Sequence, residues 1–256
     1  MEHLPEISRK ELALLRTLST RGGRRRSGLC RCEGVRAVRE LLNRAPGAVR
    51  FVVGTRRGFE ALAFVPERSR SIPEELLSEI SSTVNSQGIV AVAETPADAE
   101  GEVAGPFILA LDQLNDPGNF GTIARTFRAV GGSELWYTKG SVDPWGDKAV
   151  RSGLGAQFAL RLRRFDDLRQ LAERAVQAGV HRIFITDPHS GENCFTVPGL
   201  FDRSLIVIGG EANGVTCRPE GSVSVTIPMP GDYESLNAAQ AATVLLFEHV
   251  RRTTTT

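Results

Sequence analysis

Leu12, Leu15 and Leu18 recur at helical spacing, and with Ser8 ahead of them they predict a helix over residues 8–20. Val35, Val38, Leu41 and Leu42 form a second stripe, predicting a helix over 33–44. Short apolar runs at 49–53 and 89–93 read as strands, and Pro73 opens a helix that ends at Ile80. Periodicity then stops: residues 94–106 are mostly Ala, Glu, Gly and Pro, the composition of a linker. The pattern restarts with a strand over 107–111 and a helix over 121–130 closed by Gly131-Gly132. Further strands are expected at 135–137, 182–186, 205–208 and 223–227. Asp166 is placed to cap a helix through Ala178, and an apolar helix runs from about Ser235 to about Val250. Apolar strands alternating with helices imply a mostly parallel sheet covered on both faces. The fold class is therefore α/β, with a small α/β domain over 1–98 and a larger domain over 106–256.

Net charge is only +1, but its distribution is uneven. Residues 1–70 carry sixteen Lys and Arg against seven Asp and Glu, and the remainder fifteen against twenty-three. Arg21, Arg24, Arg25, Arg26 and Arg31 crowd a segment interrupted by Gly22, Gly23 and Gly28. It reads as a flexible cationic stretch suited to phosphate, either a nucleic-acid-binding segment or a solvated surface loop. The four cysteines, Cys30, Cys32, Cys194 and Cys217, match no zinc spacing, and reduced thiols are expected. Asp187, His189, Glu192 and Cys194 share one loop without the spacing of a metal site, so no metal is expected. No run is long enough to span a membrane, and the polar stretch 1–10 lacks the apolar core of a signal peptide; a cytoplasmic location follows as the expectation.

Three blocks carry candidate chemistry. Asp116-Pro117-Gly118-Asn119-Phe120-Gly121, with Arg125 beyond it, joins a buried strand to a helix. Gly209-Gly210-Glu211-Ala212-Asn213-Gly214 follows another strand, and Ile227-Pro228-Met229-Pro230-Gly231 leads to Ser235-Leu236-Asn237 before the last helix. Ligands of parallel α/β sheets gather at the carboxyl ends of strands, so three such turns point to one composite pocket. Each has a plain structural reading too: Pro and Gly make turns, Asn119 caps a helix, Ser235 caps the last one. Asn237 is less easily explained by capping. A carboxylate ending a buried strand needs a partner, a ligand or water, and Arg125 is the expected partner of Glu211.

Together the blocks resemble the three signature motifs of the SpoU (TrmH-like) branch of the SPOUT RNA methyltransferases. Residues 148–156 look like that family's linking segment. Cys32-Glu33-Gly34-Val35-Arg36-Ala37-Val38 and Gln87-Gly88-Ile89 resemble the ribosomal-protein-like substrate-binding domain found ahead of many such catalytic domains. The resemblance implies a C-terminal trefoil knot and a homodimer. It implies transfer of a methyl group from S-adenosyl-L-methionine to a ribose 2′-hydroxyl of tRNA or rRNA. Cofactor contacts then fall on Gly209, Ile227 and Leu236, with Gly210 and Met229 beside them, and catalytic positions on Asn119, Arg125, Glu211, Ser235 and Asn237. Departures lie at Ala238-Ala239-Gln240-Ala241-Ala242 and at Cys30 and Cys32. The competing reading is a non-catalytic RNA-binding or ribosome-assembly protein on the same scaffold.

Overall fold

The computed structural model describes residues 4–211, 213–231 and 234–254. The motif residues Ala212, Asp232 and Tyr233 lie outside them. The chain forms two compact units: Met1–Ala97 with Asp143–Ala159, and Asp98–Val142 with Leu160–Thr256. The first unit is thus discontinuous, where the sequence placed two contiguous domains at 1–98 and 106–256.

In the first unit α1 (Arg9–Thr17) begins at a capping box in which Ser8 and Glu11 exchange hydrogen bonds. The cationic segment is not a flexible coil. It folds as α2 (Arg21–Ser27), capped by Thr20, whose hydroxyl accepts from Gly23 N at 3.0 Å, and ends at Gly28 with φ 65°. Then follow β1 (Leu29–Glu33), α3 (Val35–Arg44), β2 (Val49–Gly54), α4 (Arg56–Leu62), β3 (Ser69–Ser71), α5 (Glu74–Ile80) and β4 (Ile89–Glu94). The sheet order is β1-β4-β2-β3, with β4 antiparallel to β1 and β2, and β3 parallel to β2. Side chains alternate across it. Phe51, Val53, Val90 and Val92 pack with Leu15, Leu18, Leu77 and Ile80 on one face. Val52, Ile89, Ala91 and Ala93 pack with Val38, Leu41 and Leu62 on the other.

The second unit begins with β5 (Phe107–Asp112), α6 (Pro117–Ala129) and β6 (Glu134–Thr138). After α7 (Asp147–Ser152), which belongs to the first unit, come β7 (Arg161–Phe165), α8 (Leu168–Gln177), β8 (Arg182–Thr186), β9 (Glu192–Asn193), β10 (Ser204–Gly209), β11 (Val223–Thr226) and α9 (Ala238–Thr254). Seven strands, all parallel, run in the order β7-β6-β5-β10-β8-β11-β9. α8 covers one face through Leu168, Leu171 and Ala175, against Ile108, Trp136, Ile185 and Val207. α6 packs on α9, and α9 on β10.

Several boundaries differ from expectation. α6 starts four residues early because Asp116, not Asn119, is its cap, accepting from Asn119 N at 2.8 Å, while Pro117 takes the first helical position. Asp167 rather than Asp166 caps α8. α9 starts at Ala238, with Asn237 Oδ1 accepting from Ala239 N at 2.9 Å and Gln240 N at 3.3 Å. Asn237 is the cap and Ser235 is not. Part of the expected linker is fastened to the second unit: Ala99 N donates to Leu162 O at 2.7 Å, and Arg163 Nη1 to Gly101 O at 3.0 Å.

Candidate active site

At the carboxyl ends of β8, β10 and β11 lies a cavity of about 400 Å3, within the size range of small-molecule sites. Gly209, Gly210, Ile227, Met229 and Leu236, the five expected cofactor positions, all line it, as do Glu211, Ser235 and Asn237. Ile208, Ala241 and Leu245 complete an apolar wall. The glycines are dictated by packing. A Cβ on Gly209 would come within 2.3 Å of the Gly214 carbonyl carbon, and one on Gly210 within 2.4 Å of Gln113 O. Gly210 and Gly214 exchange two 3.0 Å backbone bonds, which folds the intervening turn back over the strand end.

Two sequence-distant blocks meet Asn119 by hydrogen bonds. Asn119 Nδ2 donates to Glu211 Oε1 at 2.6 Å, and Asn119 Oδ1 accepts from Asn237 Nδ2 at 3.1 Å. The expected Glu211–Arg125 pairing is not formed. Glu211 is exposed, so water already compensates its charge, and its side-chain partner is the amide. Arg125 is exposed on α6 and makes no hydrogen bond or ion pair with any described residue. Ser235 reaches the cavity with its hydroxyl unpaired among the described residues.

The wall residues Thr186, Asp187 and Pro188 were not expected as such. They lie at the end of β8, and the strand-end rule that located the other blocks applies to them equally. The His189 backbone N–H, helped by the Arg218 guanidinium and against burial, holds the Asp187 carboxyl below its usual range. The carboxylate is already paired: Oδ1 accepts from His189 N at 2.9 Å and Ser190 N at 3.1 Å, and Oδ2 meets Arg218 Nη2 at 2.5 Å. Among the described residues no cluster of His, Cys, Asp and Glu is placed to hold a metal ion.

The cationic segment divides. Arg21, Arg25 and Arg26 are exposed on α2. Arg24 and Arg31 are buried and correct the expectation that all five meet phosphate. Arg24 donates to Asp143 Oδ2 from Nε at 2.9 Å and Nη2 at 2.6 Å. Arg31 Nε meets Asp147 Oδ1 at 3.0 Å, and its Nη1 donates to Ile80 O at 2.5 Å. Burial favours Arg in such places because its planar fork meets a carboxylate with two bonds.

An all-parallel sheet whose strand ends share one cavity, bordered by the start of α9, defines an α/β protein with a ligand site at its strand ends. The chain belongs to the SpoU rRNA Methylase family, whose model matches residues 106–247. It is 34% identical over 184 residues to an uncharacterized tRNA/rRNA methyltransferase of Synechocystis, covering 70% of this chain and 65% of that protein. It is 30% identical over 182 residues to the Bacillus subtilis 23S rRNA (guanosine(2553)-2'-O)-methyltransferase RlmP, covering 70% of this chain and 71% of that one. The solved structure of the SpoU methyltransferase AviRb from Streptomyces viridochromogenes, in complex with AdoMet, superposes with a TM-score of 0.79 at 28% identity, over 97% of this chain and 99% of that one. Of curated relatives, the chain spans 65% of the Synechocystis protein and 56% of the Xenopus laevis mitochondrial rRNA methyltransferase 3.

Proposed function

We propose that the protein methylates a ribose 2′-hydroxyl of rRNA or tRNA, using S-adenosyl-L-methionine. The observation that carries this reading is the cavity itself: Gly209, Ile227 and Leu236 line one space whose rim is the hydrogen-bonded set Asn237–Asn119–Glu211. The residues present fit the cofactor. The wall of Ile208, Ile227, Met229, Leu236 and Leu245 suits an adenine ring. When bound, the cofactor supplies an electrophilic methyl group on a sulfonium.

The chain's own residues have four tasks. Asn119 fixes the separation of the Glu211 turn from the start of α9. Ser235, its hydroxyl unpaired among the described residues, orients the ribose. Arg125, exposed and without a partner among the described residues, stabilises the negative charge that develops as the hydroxyl loses its proton, because a guanidinium beside an alkoxide and its phosphate favours that charge. Alignment of the acceptor oxygen provides much of the remaining acceleration. Arg21, Arg25 and Arg26 meet the RNA backbone.

The same proposal includes the knotted C-terminal path, supported by the insertion of β10 between β5 and β8. It includes a homodimer, supported by Phe247, an aromatic side chain that stays 54% exposed on α9. It also includes a cytoplasmic location and no resident metal.

The test is transfer of labelled methyl from S-adenosyl-L-methionine to total rRNA and tRNA from cells lacking the protein, followed by mapping of the modified ribose. Cofactor binding without transfer to any RNA would favour the assembly-protein reading.

A further inference from the structure

Gln113, the residue after β5, holds a backbone conformation that L side chains rarely adopt, with φ 50°. A strained residue persists only where its surroundings impose the strain, and here they do. Its N–H donates to Thr138 Oγ1 at 3.0 Å. Thr138 Oγ1 in turn donates to Asp112 Oδ1 at 2.7 Å, and the other oxygen of this buried carboxylate accepts from Thr216 N at 2.6 Å and Thr216 Oγ1 at 2.7 Å. The carbonyl of Gln113 lies against Gly210, so the strand end is clamped on both sides. Glycine would take the same backbone without strain. The side chain also has its own seat. A Cβ at Gly140, itself at φ 100°, would approach Gln113 Cγ to 3.1 Å and Nε2 to 3.6 Å. Yet the amide is exposed and makes no hydrogen bond with any described residue.

Strain, a glycine seat and an amide without a described partner hold a donor and an acceptor at the carboxyl end of β5, where the Gln113 carbonyl lies against Gly210, a lining residue of the cavity. Gly209 pairs with Asp112 in the β5–β10 register, which sets Gln113 beside Gly210. We propose that Gln113 is a specificity-determining residue whose amide hydrogen-bonds the base edge of the RNA nucleotide presented to the cavity; this rests on the RNA-methylation reading above. An amide offers one hydrogen-bonding group of each sign, the pattern that an unpaired base edge displays.

The test compares Gln113→Gly, which relieves the backbone and deletes the amide, with Gln113→Glu, which keeps the length and removes the donor. Melting temperature, calorimetric S-adenosyl-L-methionine affinity and kcat/KM on the mapped RNA are measured for each. The expected result is an unchanged or higher melting temperature for Gln113→Gly and cofactor affinity within about twofold of wild type in both variants. Loss of kcat/KM on RNA is expected to be about tenfold in both, the scale of one lost hydrogen bond in a built site. Wild-type kcat/KM in Gln113→Gly overturns the proposal. If the wild type itself transfers methyl to no RNA, the methylation reading fails separately. Gln113 is then judged by RNA affinity in a filter-binding assay, where equal binding by wild type and Gln113→Gly overturns it and weaker binding by the variant supports it.

Discussion

Asn119 and Glu211, 92 residues apart in sequence, share a 2.6 Å hydrogen bond from Nδ2 to Oε1, and the other end of the same amide accepts from Asn237. One side chain with a donor end and an acceptor end thus ties the start of α6 to the turn after β10 and to the cap of α9. Asn119→Ala and Glu211→Ala are expected to weaken S-adenosyl-L-methionine binding non-additively. The coupling should be about 0.5–1 kcal/mol, at the low end for contacting residues because Glu211 is exposed. Calorimetric titration of wild type, both single variants and the double variant reads it. Additive losses would show that the two residues act separately.

Asn237 has two jobs that one substitution separates. Its Oδ1 caps α9, and its Nδ2 donates to Asn119. Asn237→Asp keeps the acceptor, adds negative charge at a helix N-terminus and loses the donor. Melting temperature should be unchanged or higher while methyl transfer falls. Asn237→Ala should lose both, with about 1 kcal/mol of stability from the missing cap. If Asn237→Asp transfers methyl as well as wild type, the contact with Asn119 has no part in the reaction.

Buried Arg24 pairs with the half-buried Asp143 in the first unit, and Arg24 Nη1 also donates to Leu18 O at 2.8 Å. Removing one partner strands a desolvated charge. Asp143→Ala is expected to cost about 3 kcal/mol. The paired change Arg24→Met with Asp143→Leu should cost much less, since neither charge is then left alone. Urea denaturation compares them. Equal losses in the two cases would mean that the site tolerates an unpaired guanidinium.

This pair also shows what the sequence could and could not reveal. Apolar runs were legible: β8 falls on residues 182–186 as expected, because a buried parallel strand needs only a short apolar stretch. The three motif blocks were legible as strand ends, and the cavity joins residues from two of them. β1 and β7 were missed because Arg31, Arg161, Arg163 and Arg164 break their apolar patterns. Two of those arginines are buried against acids far away in sequence, Arg31 on Asp147 and Arg163 on Glu134. The same reason misled the reading of Arg24 and Arg31 as phosphate contacts. A cluster of like charges states its own composition, not whether an acid more than a hundred residues downstream neutralises it. α6 began early because Pro-Gly-Asn reads as a turn until Asp116 is seen capping it.

The end of α9 makes the stability of the second unit depend on pH. Glu248 is buried, and hydrogen bonds from Arg251, helped by Arg252, hold its carboxyl at about 2 against the opposing effect of burial. Arg252 also donates to Val197 O at 2.8 Å and Cys194 O at 2.6 Å, so the ionised Glu248 anchors the cation that fastens the helix to that turn. A carboxylate whose pKa is depressed on folding stabilises the fold above its unfolded value, near 4.5, and loses that contribution as pH falls toward 2. Other carboxylates with depressed values, such as Glu33 and Asp187, titrate in the same acid range, so wild-type melting alone does not isolate this one. Glu248→Gln does. At pH 6 it should melt below wild type, the gap should narrow steadily below about pH 4.5, and it should close near pH 2. A gap that stays constant across that range would show that the loss comes from packing of the amide and not from the missing charge.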